Sequence, residues 1–227
     1  FLVMHSRRQT RSPSGEPRSK ASEDRKQTTR WTSILALTTI FIVFFYIVFV
    51  YDFYGVTPQP AGIVPLEDIV RFSTEYGDIR VVLRPDAAPR TVEHFKKLIR
   101  MNFYEGCSFY RAEKGFVLQG GATRTDGTQK TSPLPNIYFE HGLSNEAGTI
   151  AMARTSDIDS ANTEYFFNLG NNAVDLGQIG DNPGYTAFGE VAVGYELLVK
   201  MSELPVITQG TLHFLKEKIP VTISLEG

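Results

Sequence analysis

The sequence predicts a mainly β domain, an antiparallel barrel capped by two α-helices, preceded by one transmembrane helix. Three observations support this fold class. Residues 31–51 form an apolar run without charges, residues 69–227 contain many short β-rich runs, and a helical repeat lies towards each end of that β-rich part. Many short strands with turn residues between them are typical of sandwiches and barrels, and helices at the ends of the run are placed to cover the openings of a barrel.

The first thirty residues have the composition of a disordered basic tail. They are rich in Ser, Thr, Arg and Pro, and they carry eight basic and three acidic side chains, a net charge of +5. Since the whole chain carries −2, the remaining residues carry −7. An acidic domain lacks the positive charge that binding to phosphates requires, so nucleic acid is excluded as the expected partner. The single cysteine, Cys107, excludes an intrachain disulfide and a thiolate zinc cluster.

Residues 31–51, WTSILALTTIFIVFFYIVFVY, are predicted to cross a membrane as one helix. The run has about the 20 apolar residues that a bilayer requires, and Trp31 and Tyr51 stand at its ends, where aromatic rings prefer the interface. The alternatives are a buried core helix, which would carry a polar face, and a cleavable signal peptide, which would have a shorter apolar run closer to the start. A membrane anchor fits the run better than either.

The basic tail sets the expected orientation of this anchor. The positive-inside rule places the N-terminus in the cytoplasm and the C-terminal part across the membrane, in an endomembrane lumen or, as the alternative, behind another organelle membrane. Residues 52–65 are rich in Pro and Gly and are predicted to be a linker. The domain then covers residues 66–227.

Periodicity gives the order of elements in this domain. Two β-rich runs, 69–74 and 78–84, flank the turn 75–78, which predicts a hairpin. Helices are predicted after Pro89, where apolar residues recur at helical spacing, and over 194–204. The remaining strand predictions are 108–112, 116–119, 149–153, 165–169, 186–191 and a closing strand, IPVTISLEG, over 219–227.

Three motifs follow one another along the domain. They read FYRAEKGFVLQGG (109–121), GTIAMARTSDIDSANTEYFFNLGNN (148–172) and GYTAFGEV (184–191). Together, in this order and at this spacing, they resemble the cyclophilin-type peptidyl-prolyl cis-trans isomerases, and the middle motif is most similar to bacterial-type members. The resemblance implies a closed eight-stranded antiparallel barrel with a helix over each end and a substrate groove on its outer face.

The resemblance also implies a reaction and the residues that perform it, with proline-containing polypeptide segments as partners and no metal or other cofactor. Arg111 would be the catalytic residue, donating a hydrogen bond to the prolyl nitrogen when the X-Pro amide is twisted. A donor there stabilises the transition state without a covalent step. The implied substrate-binding residues are Phe116, Gln119, Ala153, Glu164, Phe166 and Tyr185.

Two departures from the family pattern predict a weakened enzyme. Glu164 stands where the family has Gln, and its carboxylate is predicted to pair with Arg111 and to occupy donors that the transition state needs. Val174 stands near the position of an aromatic residue at the rim of the groove, which predicts weak or no binding of the family's inhibitor cyclosporin. The main prediction is a membrane-anchored isomerase of reduced activity. The alternative is a catalytically weak or inactive cyclophilin-like module that serves as a binding or structural subunit of a membrane complex.

Overall fold

The computed structural model describes Tyr46 and residues 64–178 and 182–227. Residues 64–227 form one compact unit. In the described part of the chain, no helix is long and apolar enough to cross a membrane. Apart from Tyr46, the predicted tail and membrane helix lie outside the described residues, as does the predicted linker up to residue 63.

The described residues of the compact unit form ten strands, three α-helices and a short 3-10 turn at Leu66–Asp68. The strands are β1 (Ile69–Thr74), β2 (Gly77–Leu83), β3 (Cys107–Glu113), β4 (Val117–Arg124), β5 (Thr149–Met152), β6 (Tyr165–Asn168), β7 (Ala187–Val193), β8 (Val206–Gln209), β9 (Leu212–Pro220) and β10 (Thr222–Leu225). The helices are α1 (Pro89–Arg100), α2 (Ala173–Leu176) and α3 (Tyr195–Ser202).

The ten strands form one antiparallel sheet in the order β10-β1-β2-β7-β5-β6-β4-β3-β9-β8. The predicted first hairpin is confirmed, with β1 and β2 paired across the turn at residues 75–76. The predicted helices are confirmed as α1 and α3, although α3 is shorter than expected. The fold is therefore mainly β with a few helices.

The predicted closed eight-stranded barrel is not shown by this strand order: the described residues form a series of ten strands, in which β9 pairs with β3 and β10, which follows it directly, pairs with β1. Residues 206–217, where periodicity predicts no strand, form β8 and most of β9. The expected single closing strand divides at Val221. The Val221 N–H still donates to the carbonyl oxygen of Cys107 on β3, and from Thr222 the chain pairs with β1 instead.

The hydrophobic core explains why strand β6 can serve a site on its outer face. Tyr165 and Phe167 are fully buried in the main core, whereas Phe166 between them belongs to a separate small apolar cluster. This alternation follows from the two-residue period of a strand. Helix α1 closes the core from one side, and its Phe95 ring lies 5.8 Å from that of Tyr165 and 5.1 Å from that of Phe188. Phe166 is thus held outward by a rigid aromatic core.

Candidate active site

Three predicted site residues lie side by side across three neighbouring strands. Arg111 on β3 pairs with Gln119 on β4, and Gln119 pairs in turn with Phe166 on β6. Directly opposed residues of antiparallel strands project to the same face of the sheet. A guanidinium, an amide and an apolar ring therefore share one face of the sheet.

These three side chains border an open pocket of about 220 Å³. Six of the seven predicted site residues contribute to it, and only Glu164 does not. The lining residues are Arg111, Phe116, Val117, Gln119, Ala153, Arg154, Phe166, Leu176 and Tyr185. The structure thus brings the predicted residues together, while the role of each one in binding or catalysis stays a prediction.

The floor of the pocket is apolar and rigid. Phe166 is only 5% exposed and packs with three other buried residues, Val117, Ala151 and Ala187. The Tyr185 ring meets the Phe166 ring edge to face, with 5.6 Å between ring centroids. Such aromatic pairs are directional and hold each other in place. The floor therefore offers a preformed apolar surface next to the Arg111 guanidinium.

Arg111 has two hydrogen-bond partners within the protein. Its Nη1 donates to Oε1 of Gln119 at 3.0 Å, and its Nη2 donates to Oε1 of Glu113 at 3.3 Å. Its Nε is buried without a partner among the described residues. A guanidinium has five N–H donors; two are used by Gln119 and Glu113 and the Nε–H is buried, so one N–H on each Nη remains for a ligand in the pocket. Arg111 is thus anchored at two points and still able to donate.

The predicted Glu164–Arg111 pair is wrong. Oε2 of Glu164 accepts hydrogen bonds from the Tyr110 hydroxyl at 2.7 Å and from Nε2 of Gln119 at 3.3 Å. Its Oε1 accepts from the backbone N–H of Ala122 at 2.7 Å. The carboxylate is therefore occupied by three donors, and it acts on the pocket only through Gln119.

Tyr110 and Glu164 form one partly buried polar unit beside Gln119. Nε2 of Gln119 donates to the Tyr110 hydroxyl at 2.6 Å, and that hydroxyl donates to Glu164. Burial, as the larger cause, and the charge of the Glu164 carboxylate both raise the pKa of the Tyr110 hydroxyl. The hydroxyl therefore stays protonated and can donate. Both N–H groups of Gln119 are consequently engaged inside the protein, and only its oxygen remains available to a ligand.

The two glycines that end the first motif make room for this unit. A Cβ on Gly121 would lie 2.5 Å from the Glu164 carboxyl group, and Gly121 has a φ of +155°, which side chains rarely adopt. A Cβ on Gly120 would lie 2.9 Å from the Tyr165 hydroxyl oxygen. The double glycine is therefore a packing requirement around Glu164 and Tyr165.

Arg154 is a pocket residue that the sequence reasoning missed. Its Nε and Nη2 both donate to the carbonyl oxygen of Gly184, at 3.0 and 2.9 Å, and its guanidinium lies 4.8 Å from the centroid of the Tyr185 ring. Its position directly after Ala153 in the middle motif was the available signal. Arg154 ties the segment carrying Tyr185 to the pocket edge.

Glu113 and His213 were also missed. The backbone N–H of His213 donates to Oε1 of Glu113 at 3.0 Å, and its Nδ1 lies 2.5 Å from Oε2. Burial alone would raise the pKa of Glu113, but the hydrogen bonds from His213 and the charge of Arg111 outweigh it and lower that pKa. No local signal pairs two residues that lie 100 positions apart.

Val174 lies on α2 with 76% of its surface exposed, and it does not line the pocket. The α2 residue that reaches the pocket is Leu176. In residues 64–178 and 182–227, no group of three or more His, Cys, Asp or Glu side chains is placed to hold a metal ion.

Comparisons with known proteins agree with this geometry. The family model described as cyclophilin type peptidyl-prolyl cis-trans isomerase/CLD matches residues 69–222. A peptidyl-prolyl cis-trans isomerase of Acinetobacter baylyi is 35% identical over 156 residues, which are 68% of this chain and 82% of that protein. The peptidyl-prolyl cis-trans isomerase A of Dickeya dadantii is 36% identical over 167 residues, 73% of this chain and 86% of that protein.

A solved structure shares the fold at lower identity. The crystal structure of a cyclophilin type isomerase from Cryptosporidium parvum, determined in the presence of the dipeptide Ala-Pro, aligns with a TM-score of 0.54 at 21% identity and covers 69% of this chain and 98% of that chain. With the family model spanning nearly the whole described unit, and with relatives above 30% identity, the chain belongs to the cyclophilin-type peptidyl-prolyl cis-trans isomerase family.

Proposed function

We propose that this chain accelerates the cis–trans exchange of X-Pro bonds in client polypeptides, with Arg111 as its catalytic residue. The observation that carries the proposal is the row of Arg111, Gln119 and Phe166 across three strands, beside one pocket. The pocket floor is apolar and suits a prolyl ring, and the guanidinium borders the same space. The reaction requires only that the ring be held while a donor reaches its nitrogen.

The chemistry follows from the structure of the amide. Rotation about an X-Pro bond has a barrier of about 18–20 kcal/mol because the C–N bond has double-bond character. In the twisted state this character is lost and the nitrogen lone pair can accept a hydrogen bond. One of the two remaining Nη N–H groups of Arg111 would donate to that lone pair. The interaction exists only in the twisted state, so it lowers the barrier rather than tightening ground-state binding.

We infer that Gln119 binds the substrate backbone as an acceptor. Its two amide N–H groups are engaged by Tyr110 and Glu164, and its oxygen already accepts one hydrogen bond from Arg111. A carbonyl oxygen has a second lone pair, which a backbone N–H of the substrate can use. A substrate carbonyl, in contrast, finds no donor on Gln119. Without a hydrogen bond from Gln119 to a substrate carbonyl, we expect an activity below that of relatives with Gln at the position of Glu164.

The test is the exchange rate of a short Ala-Pro peptide with and without the full-length chain. Uncatalysed exchange takes tens to hundreds of seconds, so exchange spectroscopy by NMR resolves acceleration directly. We expect catalysed exchange that saturates with peptide concentration. An exchange rate equal to the uncatalysed rate at all protein concentrations would contradict the proposal and would favour a binding module without turnover.

We also propose that the domain is tethered to a membrane through residues 31–51, with the tail in the cytoplasm and the isomerase domain across the membrane. The support is the uncharged run of apolar residues and the net charge of +5 before it. Full-length chain made with microsomes should remain in the membrane after carbonate washing. The domain should also be protected from added protease until detergent opens the vesicles. Release by carbonate, or digestion without detergent, would contradict the anchor or the orientation respectively.

A further inference from the structure

Glu113 lies on the same face of β3 as Arg111. The two residues are two positions apart on the strand, and residues at this spacing project to the same side. Oε1 of Glu113 accepts a hydrogen bond from Nη2 of Arg111 at 3.3 Å. Both side chains are mostly buried, with exposed fractions of 16% for Glu113 and 20% for Arg111. Solvent therefore screens this ion pair less than a pair on the surface.

Glu113 and Gln119 hold opposite ends of one guanidinium. Gln119 accepts from Nη1 and Glu113 accepts from Nη2. An arginine side chain loses about 2 kcal/mol of rotamer entropy when it is fixed, and a single anchor leaves the plane of the guanidinium free to turn about that anchor. Two anchors define the plane, and with it the direction in which the remaining N–H groups point.

His213 in turn fixes Glu113. Its backbone N–H and its ring Nδ1 both meet the carboxylate, one on each oxygen. His213 lies on β9 next to Phe214, and Phe214 pairs with Arg111 on β3. This pairing places His213 beside Glu113. Glu113 is thus clamped by a residue of the β8–β9 hairpin, the part of the fold that periodicity did not predict.

Glu113 has two opposing effects on Arg111. Its charge draws the guanidinium into a fixed orientation, but it also offsets part of the positive charge that would stabilise the twisted amide. The carboxylate shares its hydrogen bonds between Arg111 and two donors of His213. The first effect predicts that removal of the carboxylate lowers kcat, and the second predicts that it raises kcat.

We propose that Glu113 is a positioning residue for Arg111, held in place by His213, and that it raises the rate of the isomerisation by fixing the direction of the guanidinium donors. The proposal rests on the proposed function, because it assigns Glu113 a part in that reaction. It predicts an effect on kcat rather than on KM, since Glu113 does not line the pocket and fixes a donor used in the twisted state.

The first experiment compares full-length variants in the Ala-Pro exchange assay. We expect kcat to fall about tenfold in Glu113→Ala with KM unchanged, and about threefold in Glu113→Gln, whose neutral oxygen still accepts a hydrogen bond over the same reach. The matched control is Glu190→Gln, which removes an exposed Glu–Arg pair with Arg84. An unchanged or higher kcat in Glu113→Ala, or a Glu113→Gln rate no better than that of Glu113→Ala, would overturn the proposal.

A second measurement separates this proposal from the proposed function. The Arg111 Nε–H signal in ¹⁵N-edited NMR spectra is identified by its loss in Arg111→Ala. We expect the signal to shift and sharpen in Glu113→Ala as the guanidinium becomes free to rotate, and to stay in place in Glu190→Gln. An unmoved signal in Glu113→Ala overturns the positioning role. A wild-type rate equal to the uncatalysed rate overturns the proposed function, and the NMR signal then still decides whether Glu113 orders Arg111.

Discussion

Replacing Glu164 by Gln tests whether this residue is an ionised acceptor within the fold. The carboxylate accepts from Ala122 N–H on one oxygen and from Tyr110 and Gln119 on the other. An amide has only one oxygen. In Glu164→Gln the NH2 group must therefore face either the Ala122 N–H or the pair of Tyr110 and Gln119, which are hydrogen-bond donors to Glu164. If the oxygen stays with Ala122, the Tyr110 hydroxyl must turn away and lose its acceptor.

The expected loss is about 2 kcal/mol of folding free energy, because a hydrogen bond to a charged group contributes roughly 1.5–3 kcal/mol and a rotated hydroxyl recovers part of it. The measurement is urea unfolding of the full-length chain, followed by circular dichroism at neutral pH. Glu190→Gln serves as the control. Its side chain is 52% exposed, and we expect a change of less than about 0.5 kcal/mol, as for most surface pairs. A Glu164→Gln variant as stable as the control would refute the three-donor description of Glu164.

Three further predictions follow from the same structure. The Tyr165 hydroxyl is buried without a partner among the described residues. Tyr165→Phe should therefore raise the free energy of unfolding by about 1 kcal/mol. A loss of stability in urea unfolding would contradict this prediction. The pKa of Glu113 is lowered in the folded protein, so its stabilising contribution is complete above the ordinary value of 4.5 and is lost as the pH falls through the folded-state pKa. The difference in unfolding free energy between wild type and Glu113→Gln should therefore shrink in acid. A difference that stays constant would contradict this prediction. Because Val174 is exposed and does not line the pocket, calorimetry should detect weak or no binding of cyclosporin, and nanomolar affinity would exclude this account of the rim.

The sequence was informative wherever the signal is local. The face of α1 that buries Phe95 and the β1–β2 hairpin follow from periodicity, and the structure confirms both. The six pocket residues that the sequence predicted each lie in one of the three motifs, whereas Leu176 lies outside them. Strand pairing in the observed register then brings Arg111, Gln119 and Phe166 to one face, because directly opposed residues project to the same side.

The errors concern contacts that span the chain. The position of Glu164 in its motif does not reveal that Tyr110 and the Ala122 N–H occupy its carboxylate, because those donors come from two other stretches of the sequence. His213 reaches Glu113 only through the pairing of β9 with β3. That pairing depends on a hairpin whose residues are largely exposed and therefore show no clear hydrophobic alternation.

The central claim, that the Arg111 guanidinium lowers the barrier to X-Pro rotation, is tested most directly by comparing Ala-Pro exchange rates of wild type, Arg111→Ala and Arg80→Ala. Arg80 pairs with Glu226 away from the pocket, so its variant removes an arginine without touching the site. We predict that the wild-type and Arg80→Ala rates agree, and that Arg111→Ala loses about tenfold or more, which corresponds to about 1.4 kcal/mol or more of transition-state stabilisation. An Arg111→Ala rate equal to that of wild type would contradict the account.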